Sequence, residues 1–131
     1  MARKKSSTLT DLETDIMNIV WQKGKVTVRD VYETLRETRP LAYTTVLTVL
    51  GTLTEKHIVH REMRDRAYVY RPRMSHKEAV SRSLQHLAGK FFEGSERSLA
   101  AHMIESEKLS RQELEELHRM IEEKLQEENQ T

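Results

Sequence analysis

Residues 41–56 read LAYTTVLTVLGTLTEK, and the spacing within them decides the fold. Val46, Val49, Leu50 and Leu53 recur at the intervals of one helical face, which predicts a helix from about Tyr43 to Lys56. With Val46 at the centre of the buried stripe and a turn of about 100° per residue, Thr44, Thr48, Gly51, Thr52 and Glu55 fall on the opposite side and Leu47 on a flank. β-Branched residues are mediocre helix formers, so threonine is a poor choice for a plain surface helix. A helix laid in the major groove of DNA has a use for it: Thr offers a hydroxyl to base edges and a methyl that fits a thymine methyl. Thr44, Thr45 and Thr48 are therefore the natural candidates for reading bases, with Tyr43 and Leu47 as further expected DNA-binding residues; the bland alternative is a set of threonines that only face solvent. Gly51 costs a mid-helix position about 1 kcal/mol relative to Ala, which suits close approach of DNA or of a neighbouring hairpin.

Upstream, Thr10 and Glu13 have the spacing of a capping box, and Leu12, Ile16, Ile19 and Val20 follow at helical intervals. They predict a first helix from about Asp11 to Gln22, stopped by Gly24. Val26 suits a short strand. Thr27 then opens a second helix whose apolar face is Val28, Val31, Tyr32 and Leu35, and Pro40 disfavours helical geometry at Arg39. Two short helices and a turn into a third form the helix-turn-helix layout.

Downstream, the period falls to about 2 between Ile58 and Pro72, with a polar turn at Arg64, Asp65 and Arg66, so this stretch reads as a hairpin, the wing. Three helices are expected after it. Ser75 and Glu78 open one bearing Val80, Leu84, Leu87, Phe91 and Phe92, which ends before Gly94. Ser95 begins a shorter one with Leu99, Met103 and Ile104. Ser110 and Glu113 cap the last, where Leu114, Leu117, Ile121 and Leu125 form a narrow apolar stripe between acidic faces. The expected fold class is mainly α with a small β-hairpin: a winged helix-turn-helix DNA-binding domain over residues 1–73 and a three-helix dimerisation region over residues 74–131.

At 131 residues the chain has room for a small domain and a helical appendage, not for a large enzyme core. It has no cysteine, which excludes disulfides, thiolate metal sites and thiol nucleophiles. The six histidines are scattered; only His57 and His60 lie close, without further partners of metal-site pattern. No phosphate loop or nucleophile motif is present, so neither an enzyme nor a cofactor is expected. No apolar run reaches bilayer length, and the reading is cytoplasmic, with no membrane partner. The net charge of +1 hides an asymmetry: residues 1–73 hold fourteen Lys/Arg against nine Asp/Glu, net +5, and residues 74–131 hold eight against twelve, net −4. A basic first half suits a polyanion. Arg64 and Arg66 at the hairpin tip, with Arg61 and the arm residues Arg3, Lys4 and Lys5, are the expected phosphate contacts.

With these residues in view, the chain resembles the penicillinase-repressor (BlaI/MecI/CopY) family. The likeness is carried by Leu12-Glu13, Ile16-Met17, Val20-Trp21, Thr27-Val28, Asp30-Val31, the run from Leu41 to Leu50, Arg66-Ala67-Tyr68, Tyr70 and Pro72. It is weaker in the second half, at Leu109-Ser110 and from Glu113 to Leu117. The resemblance implies a homodimeric repressor that binds inverted-repeat operators in double-stranded DNA and dimerises through its C-terminal helices. Copper-responsive relatives carry Cys-x-Cys pairs, which this chain lacks. Antibiotic-responsive relatives are cut at an Asn-Phe bond by a signal-activated protease; the pair at that position here is His102-Met103. Family members often have Gly at the end of the recognition helix and at the wing turn, where this sequence has His57 and Asp65, and of the two Asp tolerates left-handed geometry better.

The expected dimer seam comprises Phe91, Phe92, Leu114, Leu117, Ile121 and Leu125, because three short amphipathic helices have too little mutual surface for a core of their own. The contrasting reading is a helical protein-protein adaptor that uses a winged fold without binding DNA.

Overall fold

A computed structural model describes residues 8–130; the arm residues Arg3, Lys4 and Lys5 lie outside them. The chain divides into two compact units, residues 1–84 and 85–131.

The first unit begins with α1 (Asp11–Lys23), α2 (Val28–Leu35) and α3 (Tyr43–Glu55). Both expected N-terminal locks are in place. Thr10 Oγ1 accepts from the Glu13 amide at 3.1 Å while Glu13 Oε1 accepts from the Thr10 amide at 2.9 Å. Thr27 and Asp30 exchange the same pair of bonds at 3.1 and 2.9 Å. Each cap satisfies amides that an α-helix leaves unpaired and contributes about 1 kcal/mol. Gly24 ends α1 at a φ of 81°, donating its amide to Val20 O. The three helices close around one core in which Ile16, Met17, Val20, Val31, Val46, Leu50 and Leu53 are fully enclosed.

Strands β1 (Val59–Arg64) and β2 (Ala67–Pro72) pair antiparallel, from Val59 opposite Pro72 to Arg64 opposite Ala67. The connecting residues Asp65 and Arg66 have φ of 48° and 70°. Positive φ at both central positions is the two-residue turn whose twist matches that of the strands. His57, between α3 and β1, also sits in the left-handed region at φ 62°. At His57 and Asp65 the backbone thus takes left-handed geometry with side chains present. Val26 adds a bridge to the sheet, exchanging both backbone hydrogen bonds with Tyr70 at 3.0 and 2.7 Å.

Helix α4 (His76–Phe91) starts inside the first unit. Trp21 Nε1 donates to Met74 O at 2.9 Å, the His76 ring meets Trp21 edge-on at 5.1 Å, and Met74 and Ala79 join the core. The first compact unit thus runs to Leu84, beyond the boundary expected at Arg73, because the residues just after the wing bury apolar surface against α1.

The second unit holds the end of α4, then α5 (Glu96–Glu105) and α6 (Arg111–Asn129). Glu93 and Gly94, at φ 51° and 84°, end α4 as Gly94 was expected to, and Ser95 and Ser110 cap the two helices that follow. Its apolar side chains are poorly covered: Leu99 is buried, but Met103, Ile104, Leu114, Met120, Ile121 and Leu125 are exposed. Between α5 and α6 runs an apolar groove of about 460 Å³ lined by Met103, Ile104, Leu109, Leu117 and Ile121, among others.

Candidate nucleic-acid interface

Helix α3 is held by one side and bare on the other. Val46, Leu50 and Leu53 are buried, Val49 is partly covered, and the exposed strip begins with Tyr43, Thr44, Leu47 and Thr48. Tyr43 and Leu47 are 47% and 44% exposed, a large apolar area for the surface of a helix. Thr45 is half-buried on the flank. Thr48 Oγ1 donates to Thr44 O at 2.9 Å and Thr52 Oγ1 to Thr48 O at 3.2 Å, so these two hydroxyl protons are committed to the helix itself. A Cβ added at Gly51 would meet nothing within 4 Å, so among the described residues nothing, the wing included, requires glycine there.

Helix α2 fixes the N-terminal end of this strip. The Tyr32 ring packs edge-to-face on Tyr43 with centroids 5.7 Å apart, and the Arg36 guanidinium also lies 5.7 Å from the Tyr32 centroid. Sequence reasoning placed Tyr32 on the apolar face of α2 and passed over Arg36; the four-residue spacing of an aromatic and a cation was the available signal.

The wing carries its charge on a braced ribbon. Glu62 is shared by Arg64 at 3.2 Å and Arg71 at 2.9 Å, and Arg61 stacks on the Tyr68 ring at 4.2 Å from its centroid. Arg64 remains more than half exposed, and exposed ion pairs contribute little, so it can exchange Glu62 for another anion. Arg66 stands in the turn itself, exposed. Lys56, by contrast, is turned inward: its Nζ lies 2.9 Å from Glu13 Oε2 and is unavailable to a ligand.

In the second unit, Phe91 is exposed, Phe92 is half-buried against the His102 ring at 5.8 Å, and Leu117 is half-buried beside exposed Leu114, Ile121 and Leu125. The His102-Met103 bond lies inside α5. Among the described residues no three His, Cys, Asp or Glu side chains are grouped to hold a metal ion, and no helix is long and apolar enough to cross a membrane.

Three helices, a hairpin with an exposed cationic tip and a bare third helix make a winged helix-turn-helix. The penicillinase repressor family profile matches residues 9–123. The chain belongs to this family. Among penicillinase repressor relatives, the transcriptional regulator BlaI of Mycobacterium tuberculosis is 38% identical over 103 residues, covering 77% of this chain and 75% of that protein. The penicillinase repressor of Bacillus licheniformis is 24% identical over 120 residues, covering 92% and 94%. Solved structures share the fold. The DNA-binding domain of the repressor BlaI superposes with a TM-score of 0.51 at 24% identity, over 58% of this chain and 93% of that one. RosR of H. salinarum superposes with a TM-score of 0.51 at 18% identity, over 76% and 93%.

Proposed function

We propose that the chain is a homodimeric transcriptional repressor that binds an inverted-repeat operator in double-stranded DNA through α3 and the wing. The observation that carries this reading is the bare strip of α3 from Tyr43 to Thr48, in a family whose members are repressors and transcriptional regulators. In this reading Tyr43, Thr44, Thr45, Leu47 and Thr48 face base edges, while Arg64 and Arg66 contact phosphates and set position rather than sequence.

Pairing is supported by the second unit's uncovered apolar surface. Phe91, Phe92, Leu114, Leu117, Ile121 and Leu125 would be covered by a second copy, and a two-fold axis then implies an operator with two-fold symmetry. Release of the repressor would follow from a signal acting on the C-terminal region. Cutting at His102-Met103 by a signal-activated protease would sever α6 from the winged unit, but since that bond is helical, α5 must first unwind locally. No metal or cofactor is invoked.

A salt-series gel shift with duplex DNA tests the reading against the adaptor alternative. A DNA-binding repressor loses affinity steeply as salt rises, through the counterions its cations displace. Absence of duplex binding at low salt would leave the adaptor.

A further inference from the structure

Helix α3 contains not one Lys, Arg, Asn or Gln; Glu55 is its sole charged residue. Those four are the side chains that read purines through paired hydrogen bonds, Arg and Lys on guanine, Asn and Gln on adenine. Lys56, the next residue along the chain, is held inward by Glu13, and Arg36 of α2 lies over the Tyr32 ring. Beside the exposed hydroxyls of Tyr43 and Thr44, what the strip offers is apolar: the half-exposed isobutyl group of Leu47, and Thr48, whose hydroxyl proton is already given to Thr44 O and which retains a methyl and an acceptor lone pair. In the major groove one base presents an apolar group, the C5-methyl of thymine.

We propose that α3 recognises its half-site chiefly through thymine methyl groups, packed against Leu47 and Thr48, and not through the hydrogen-bonding edges of purines. The proposal rests on operator binding by α3. The smooth surface left at Gly51, where nothing among the described residues needs the missing side chain, fits a helix that lies close in the groove and relies on surface contact. Affinity would then come from the cations of the wing, and discrimination from methyl contacts. An Arg-free reading helix of this kind is blind to the difference between thymine and 5-methylcytosine at the methyl position.

The test begins by selecting duplexes from a randomised pool with the full-length protein. In the best selected site each thymine is then replaced singly by deoxyuridine, which removes only the methyl. At one or more positions in each half-site the replacement should weaken binding about fourfold, the factor for one carbon withdrawn from an apolar contact. Leu47→Ala or Thr48→Ser, the latter keeping the hydroxyl, should be insensitive to that same replacement. Both residues are exposed, and an unchanged salt dependence would show that each variant still docks. If deoxyuridine is tolerated at every position, or if both variants stay as sensitive as the parent, the proposal is overturned while operator binding stands. If no sequence is enriched from the pool, it is operator binding by α3 that fails, and the proposal falls with it.

Discussion

Lys56 at the end of α3 places its ammonium 2.9 and 3.1 Å from the two carboxylate oxygens of Glu13 in the first turn of α1, with the side chains only 14% and 5% exposed. One carboxylate thus closes the α1 capping box and anchors the C-terminal end of α3. Burial by itself pushes the Glu13 carboxyl up, but the Thr10 amide and the Lys56 ammonium outweigh it and hold the group below its ordinary value of 4.5.

The sign of the pH dependence follows. A carboxyl whose folded pKa is depressed contributes stability that is full above its unfolded value, about 4.5, and is lost as pH falls through the lower folded value. Glu13→Gln should flatten this part of the acid-unfolding profile and lower stability at neutral pH by about 2–3 kcal/mol, short of a fully buried pair because Lys56 keeps a wet edge. Denaturant titrations carried from neutral pH down through the acid transition check both effects.

Left-handed backbone at a side chain with a Cβ costs about 1 kcal/mol or more, and His57 stands at φ 62°. His57→Gly should raise the melting temperature by a few degrees, the shift expected of about 1 kcal/mol in a small domain. Thermal unfolding followed by circular dichroism reads it, and a fall would mean that the His57 side chain makes a compensating contact.

On the reading helix, Thr44→Ala should weaken operator binding by about 1 kcal/mol or more, the size of a single base contact, without altering the oligomeric state. Thr44 is exposed and its hydroxyl has no partner among the described residues, so stability should change little. Paired affinity and unfolding measurements separate the two effects.

Arg64→Ala and Arg66→Ala should weaken binding to all duplexes alike, and flatten the salt dependence by about 0.9 in slope for every phosphate left unneutralised. An effect confined to one base substitution would make either arginine a base reader. Arg66→Gly, which also relieves the φ of 70°, should combine the same weakening of DNA binding with a gain in stability.

In the second unit, Leu117→Asp combined with Ile121→Asp would set charges on the apolar seam of α6, where Leu117 is half-buried and Ile121 exposed. Sedimentation should then show monomers that bind a half-site weakly and the whole operator without cooperativity. A parent chain that is itself monomeric at micromolar concentration would remove the seam assignment.

Much of this architecture is written locally. The apolar spacing of α1 to α3, the Thr10, Thr27 and Ser110 caps, the stop at Gly24 and the alternation of the wing all depend on residues within one or two turns of each other, so periodicity and cap chemistry reveal them directly. The strip from Tyr43 to Thr48 was legible for the same reason: once the buried face of a helix is known, its opposite face follows from the pitch.

Tertiary structure alone decided what those faces meet. Nothing in the local pattern distinguishes Lys56 from the solvated lysines, because its partner lies 43 residues earlier and is chosen by how α1 and α3 cross. Trp21 reaches Met74 O across 53 residues and carries the first unit past the wing, where composition and the Pro72 breakpoint suggest an end. The Tyr32 contact with Tyr43 and the sharing of Glu62 between Arg64 and Arg71 are of the same kind. Periodicity tells which side of an element is buried; only the path of the chain, closed over its core, selects the particular atoms that cover it.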